Sequence, residues 1–200
     1  MGTPGAGAWS AVQPIEVAAL LSAVKVPWWI AGGWAIDLFL DKHTRAHRDI
    51  DVGVLRRDAH QVMLGLPSWE FFAAKGRTLT RLPPGETPPA DVFSLWCRPT
   101  STSPWTLELL IDSAEDNWWM FRREPKIRRP FATITHLSSH GIPYLAPEIQ
   151  LLYKSKATRP EDQADFESSI ARLDIDVRAW LRAALLMVYP SHQWLSALEL

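Results

Sequence analysis

Cysteine is all but missing from this chain of 200 residues: Cys97 stands alone. No intrachain disulfide and no multi-cysteine metal site can therefore form, and the ordinary place for such a thiol is inside a core. Long apolar runs are missing too, since no hydrophobic stretch reaches the roughly 18–20 positions of a bilayer-crossing helix. The first residues are small and glycine-rich, without a basic segment leading into an apolar one. They read as a frayed tail over 1–12, and a cytoplasmic protein is expected. Charge of either sign is not in excess, with 21 Lys and Arg against 22 Asp and Glu and a net charge of -1. That balance gives no general electrostatic case for nucleic acid. Internal repeats and low-complexity segments are absent as well. What the chain does have is 47% hydrophobic residues, enough for a core in one domain or a compact pair. It also has eleven tryptophans, which ordinarily fill cores and interfaces and can line an aromatic pocket.

Hydrophobic periodicity predicts a helix over 14–24, a short buried strand at Trp28–Ile30, and a tight turn at Gly32-Gly33 leading into a helix over 34–40. A strand follows over 49–55 and a helix over 57–64. Weaker strands are predicted at 69–74 and 91–96, with a loop between them marked by Pro83, Pro84, Gly85, Pro88 and Pro89. Residues 105–112 form a strand and 113–117 a polar turn. From Pro147 onward the pattern is helical, with segments starting near 147, 162 and 174 and a short fourth over 191–200. The chain thus divides into a mixed α/β part of about 140 residues and a helical C-terminal part.

The chemistry is concentrated in an ordered set: Gly32-Gly33, then Asp49-Ile50-Asp51, then Glu108. In a strand, residues i and i+2 share a side, so Asp49 and Asp51 project together at a Cβ separation of roughly 7 Å. Two carboxylates on one face repel, and a hard cation relieves that repulsion. Oxygen-only ligands select Mg²⁺ or Mn²⁺ over zinc, and a pair of such ions stabilises the attacking and leaving oxygens of a phosphoryl displacement. Gly32-Gly33 lets the backbone approach phosphate oxygens ahead of a helix N-terminus. The stretch Lys42, His43, Thr44, Arg45, His47 and Arg48 supplies positive charge for a phosphate chain. On the strand 105–112, Glu108 and Asp112 lie roughly 13 Å apart, so one of them belongs near the ions. Glu108, placed among Leu107, Leu109, Leu110 and Ile111, is the choice, because a mid-strand carboxylate without a partner is expensive. Asp112, beside a polar turn, needs no special explanation.

The segments Ile30-Ala31-Gly32-Gly33-Trp34-Ala35-Ile36-Asp37-Leu38 and Thr44-Arg45-Ala46-His47-Arg48-Asp49-Ile50-Asp51 closely resemble the aminoglycoside 2″-nucleotidyltransferase-like family. That family is part of the wider polymerase-β-like nucleotidyltransferase superfamily, whose pattern is a Gly-Gly turn, an Asp-x-Asp/Glu pair and a third acid on a neighbouring strand. The likeness continues through Trp118–Pro130 and Tyr144–Lys156. It implies an α+β nucleotidyltransferase fold, a mixed sheet flanked by helices over 13–143, followed by a helical region over 144–200. It implies transfer of a nucleoside monophosphate, AMP from ATP or the equivalent from another NTP, to a hydroxyl of a small acceptor with release of pyrophosphate. Asp49 and Asp51 then become ligands of two Mg²⁺ ions, and Glu108 a third ligand or the general base. Gly32, Gly33, Arg45 and Lys154 would hold the donor's phosphates.

Three positions depart from the superfamily pattern. Trp34 stands where a Ser is common, Glu161 where related chains tend to have Lys, and Glu108 where Asp is frequent. An aminoglycoside acceptor is polycationic and calls for an acidic pocket beyond these three carboxylates, to which Glu115 and Asp116 are candidate contributors. Two other readings follow from the same residues. One is modification of a protein or tRNA, with Arg122, Arg123, Arg128, Arg129 and exposed tryptophans as the partner surface. The other is a catalytically inactive nucleotide sensor, against which the intact acids argue.

Overall fold

The computed structural model describes residues 8–10 and 12–199. Its centre is one mixed sheet. In chain order the strands are β1 (Trp28–Ile30), β2 (Asp51–Leu55), β3 (Glu70–Lys75), β4 (Thr78–Leu82), β5 (Ser94–Arg98), β6 (Leu107–Glu115), β7 (Trp118–Met120), β8 (Arg128–Pro130), β9 (Thr135–Leu137) and β10 (Pro143–Leu145). Their spatial order is β4-β3-β5-β6-β2-β1-β10-β9, with β7 and β8 extending from β6. Two pairs, β2 with β6 and β1 with β10, are parallel. The parallel β2–β6 register sets Asp51 opposite Glu108, so two acids distant in sequence meet at the middle of the sheet.

Among the described residues six α-helices surround it: α1 (Pro14–Leu20), α2 (Gly32–Leu40), α3 (Ala59–Leu64), α4 (Pro147–Lys154), α5 (Pro160–Ile170) and α6 (Ile175–Val188). The strands alternate as half-buried strands must: Leu107, Leu109 and Ile111 of β6 are inside the core, while Glu108 and Leu110 are partly accessible on the other face. The core joins Val17 and Leu21 beside α1, Val62 and Met63 of α3, and Ile149, Leu151 and Leu152 of α4 to the central strands. Cys97 is fully buried within it, and burial pushes its thiol well up, so it is a packing residue. α2 packs on β2 and β10, and α4 on α2, α5 and α6. No helix among the described residues is long and apolar enough to cross a membrane.

Several expectations change in detail. The loop foreseen between 74 and 91 contains a strand, β4, because Gly76 takes a positive φ of 60° and closes a hairpin in which Lys75 faces Thr78. Only the proline-rich remainder is irregular. The polar turn foreseen over 113–117 is mostly strand: Ser113, Ala114 and Glu115 pair with Met120, Trp119 and Trp118. The turn itself is confined to Asp116-Asn117, where Asp116 adopts φ 51°, a region that Asp tolerates better than most residues. The fourth C-terminal helix is a single 3-10 turn, Gln193–Leu195. It is held by Trp194 stacked flat on Phe166 at 4.3 Å. Gly32 and Gly33 are not a turn before α2 but its first two residues, and Asp49 precedes β2 rather than opening it.

Candidate active site

Asp49, Asp51 and Glu108 line one cavity of about 790 Å³, together with Gly32, Gly33, Arg45 and Lys154. The seven residues read as metal, base and phosphate contacts therefore border the same space. The glycines are there for clearance. A Cβ on Gly32 would overlap the Asp51 carboxylate, and its φ of 66° is left-handed, so no other residue fits without strain. A Cβ on Gly33 would run into the side chains of Arg45 and His47. The Gly32 N–H is already engaged, donating to Oε1 of Gln150 on α4 at 2.8 Å, a bond that ties the start of α2 to the C-terminal helices.

The segment between α2 and β2 is locked by Asp37, whose residue is buried in α2. Asp37 Oδ2 lies 2.7 Å from His47 Nε2 and 3.1 Å from His43 Nδ1, and its Oδ1 accepts the Thr44 hydroxyl. The Trp34 ring packs over His47 at 4.3 Å. Of the basic stretch, Arg45, His47 and Arg48 thus border the cavity, while Thr44 is committed to holding the loop and His43 joins it. Asp37 with the two histidines is also a geometric candidate for a metal site, but the His47 contact is equally a hydrogen bond that fixes the chain carrying Arg45 and Asp49.

The acids and the bases are treated differently. Burial pushes the Asp51 carboxyl up to about 8, reinforced by the negative charges of Glu108 and Asp49. Burial also raises Glu108, against a hydrogen bond from Ser94 Oγ to its Oε1 at 2.5 Å. Three of the bases, by contrast, are paired within the protein. Arg45 donates to both oxygens of Asp165 at 3.2 Å. Lys154 Nζ sits 2.7 Å from Asp162 and 2.9 Å from Asp165, with all three side chains nearly sealed from solvent. Arg159, at the N-cap of α5, grips Asp162 through its guanidinium at 2.9 and 3.1 Å and through its backbone N–H at 3.1 Å. Burial alone would raise Asp162, but the hydrogen bonds from Arg159 and Lys154 hold it down at about 2.

Sequence reasoning missed several lining residues. Gln150 and Arg159 carried no motif signal, since each is an isolated polar residue in a helical segment. With Glu161 where related chains tend to have Lys, positive charge at α5 comes instead from Arg159 one turn-start earlier, and Glu161 pairs with it at 3.1 Å. Asp112 needs more explanation than a strand end suggests. It is buried, accepts the Tyr153 hydroxyl at 2.6 Å, and is pushed up to about 6 by burial. It borders a second, smaller cavity of about 130 Å³ that shares Leu110, Arg122, Arg123, Gln150 and Tyr153 with the first. Glu115 and Asp116, the candidates for an acidic acceptor pocket, border neither cavity. Of the arginines offered as a partner surface, Arg122 and Arg123 face into the cavities. Arg129 is paired with Glu148, and Arg128 packs over the ring of Trp118 at 5.0 Å.

A family model described as aminoglycoside-2″-adenylyltransferase matches residues 14–168. The chain belongs to the aminoglycoside-2″-adenylyltransferase family. It is accordingly a nucleotidyltransferase. The fold agrees with solved structures at low sequence identity. The solution structure of the antibiotic-resistance factor ANT(2″)-Ia superposes with a TM-score of 0.56 at 16% identity, covering 89% of this chain and 92% of that one. The same protein in complex with adenylyl-2″-tobramycin gives 0.55 at 13% identity, covering 85% and 93%. The lincosamide antibiotic adenylyltransferase LnuA, lincomycin-bound, gives 0.52 at 18%, covering 77% and 92%. Among curated proteins no sequence matches significantly. The family's mixed sheet with its C-terminal helices is thus the architecture of this chain, as the resemblance implied.

Proposed function

We propose that this enzyme transfers a nucleoside monophosphate, AMP from ATP, to a hydroxyl of a small acceptor and releases pyrophosphate in a Mg²⁺-dependent reaction. The observation that carries the reading is the convergence of Asp49, Asp51 and Glu108 on one cavity whose other wall holds Arg45, Lys154 and Arg159. The donor set fits the metal. It is all carboxylate oxygen, which suits a hard cation. The raised Asp51 carboxyl also marks a place where negative charge lacks a partner within the protein. Asp49 and Asp51 would hold the ions, with Glu108 adjacent. Bound there, Mg²⁺ would neutralise phosphate charge and stabilise the entering and departing oxygens.

The protein's own groups supply the rest. Gly32 and Gly33 keep the backbone bare so that the side chains of Asp51, Arg45 and His47 can close on the start of α2. Arg45, Lys154 and Arg159 are matched in charge by Asp165, Asp162 and Glu161. Arg48 and Lys156, which also line the cavity, form no ion pair among the described residues and are the cations free to meet a phosphate chain. Glu108 is the base that takes the acceptor's proton. Ser94 fixes one of its oxygens, and burial brings its pKa upward, closer to the pH at which a base is effective. In the family's description the adenylyl acceptor is an aminoglycoside, which makes a small hydroxylated antibiotic the reference acceptor for this chain.

The reading is tested by incubating the enzyme with Mg²⁺, α-labelled ATP and hydroxylated acceptors, and following label transfer with pyrophosphate release. Activity that survives chelation of divalent ions, or that persists in the Asp49→Ala/Asp51→Ala double variant, would exclude the metal site described here.

A further inference from the structure

Beside the three acids of the cavity, one further group of side chains among the described residues has the composition of a metal site. Asp37, His43 and His47 bring their ligand atoms within 4.8 Å of one another. The two histidines stand in the His-x3-His spacing common among zinc ligands. Both imidazoles meet the same carboxylate oxygen, with His47 Nε2 2.7 Å and His43 Nδ1 3.1 Å from Asp37 Oδ2. The His47 contact is a hydrogen bond. His43 Nδ1 is close without the alignment of one, so the loop's internal bonding does not account for it. Zinc holds imidazole nitrogen and carboxylate oxygen at about 2.0–2.2 Å, which sets neighbouring ligand atoms of a tetrahedral site roughly 3.3 Å apart. The two N···O separations fall short of that value by about 0.6 and 0.2 Å, differences that small ring rotations absorb.

The surroundings suit a ligand set. The side chains of Asp37 and His47 are each 4% exposed, whereas that of His43 is 57% exposed. Two ligands are thus fixed and the third stands at the surface, which gives an ion a way in and leaves a position for water. The Thr44 hydroxyl donates to Asp37 Oδ1, leaving Oδ2 to the two rings. A hydrogen bond of this kind orients a ligating carboxylate. The Trp34 ring backs both imidazoles, at 5.1 Å from His43 and 4.3 Å from His47. The donor set also differs in kind from that of Asp49, Asp51 and Glu108. Two imidazoles with one carboxylate suit zinc, while carboxylate oxygens alone suit Mg²⁺. One chain can therefore sort two ions into two places.

We propose that Asp37, His43 and His47 bind a Zn²⁺ ion that pins the segment between α2 and β2, the segment that brings Arg45, Arg48 and Asp49 to the cavity. The full chain, stripped of metal by chelation and supplied with excess Mg²⁺ to occupy the carboxylate site, is titrated with Zn²⁺ by calorimetry. One ion per chain is expected, with a dissociation constant of about 10 μM or tighter and a higher thermal midpoint in its presence. His43→Ala, a change at an exposed side chain, should keep the circular dichroism of the wild type and weaken Zn²⁺ binding at least about tenfold. Asp49→Ala/Asp51→Ala should bind Zn²⁺ as the wild type does, which separates this site from the catalytic acids. Co²⁺ in place of Zn²⁺ should give the visible d–d bands of a four- or five-coordinate ion, and His43→Ala should lose them. Weaker binding than this by the wild type would overturn the proposal. So would a smaller loss in His43→Ala, or binding that disappears in Asp49→Ala/Asp51→Ala.

Discussion

The acidic and basic walls of the cavity are built on opposite electrostatic plans. On the sheet side, Asp51 and Glu108 are brought together by strand register, with Asp49 two residues away, and their charges oppose one another. On the helix side, Arg45, Lys154 and Arg159 interlock with Asp162 and Asp165 at 2.7–3.2 Å. The sheet side gathers carboxylates that form no ion pair among the described residues. The helix side is a structural network, because it joins the loop before β2 to α4 and α5. A residue's presence at the cavity therefore does not say whether losing it harms folding, chemistry or both, and the two walls should respond differently to the same kind of substitution.

The largest effect is expected from the sheet side on catalysis. Asp49→Ala/Asp51→Ala should reduce label transfer by about 10³-fold or more, equivalent to roughly 4 kcal/mol of transition-state stabilisation. The purified variant should retain its far-UV circular dichroism and thermal midpoint. A variant that loses activity only because it unfolds would break the distinction between the walls.

The helix side should show the reverse priority. Lys154→Met removes the charge shared by Asp162 and Asp165 and leaves both carboxylates buried with fewer partners. Breaking a buried pair by deleting one member typically costs about 3–5 kcal/mol. A lower urea midpoint in the absence of any ligand is the expected result. Full stability together with weakened nucleotide binding would mean that Lys154 is a dedicated phosphate ligand.

Much of the sheet wall was legible in the sequence because it is local. Gly32-Gly33, Asp49 and Asp51 lie within 20 residues of each other, and period-2 alternation assigns Glu108 to its face. The helix wall was legible only in part. Lys154 and Arg45 were marked by resemblance, but their partners Asp162 and Asp165 come together with them through packing of α5 on α2 and α4, which no spacing encodes. Gln150 is in the same position, reaching across 118 residues to the Gly32 N–H. The short strands β7 to β10 span three residues each, too few to display an alternation. β4 was hidden by the prolines that follow it. Asp112 was misjudged because the strand continues past it to Glu115, and what looked like a terminus is interior.

Asp112 gives a pH signature separate from both walls. Its carboxyl is raised to about 6 in the folded protein from an ordinary 3.8, so between these values the folded state holds a proton that the unfolded state releases. The contribution to stability is fully present below pH 4 and is lost as pH rises through about 6; it amounts to about 3 kcal/mol. Asp112→Asn keeps an acceptor for the Tyr153 hydroxyl and removes the titration. Stability measured by urea unfolding between pH 4 and 7 should therefore fall less steeply in the variant than in the wild type. Identical slopes would assign the pH dependence to other groups.

The smallest effect is the most direct test of the contrast between the walls. If Asp51 is held against its neighbours only for the sake of a bound cation, neutralising it should stabilise the free protein. Asp51→Asn preserves shape beside Gly32 and ends the repulsion from Glu108 and Asp49, and its amide can donate to a neighbouring carboxylate. A gain of about 1–2 kcal/mol is expected, since both burial and the neighbouring charges disfavour the ionised carboxyl there. The same substitution should abolish transfer and remove the rise in thermal midpoint that Mg²⁺ gives the wild type. A destabilised Asp51→Asn variant would place Asp51 with Lys154, among residues the fold itself requires, and the two walls would no longer differ in kind.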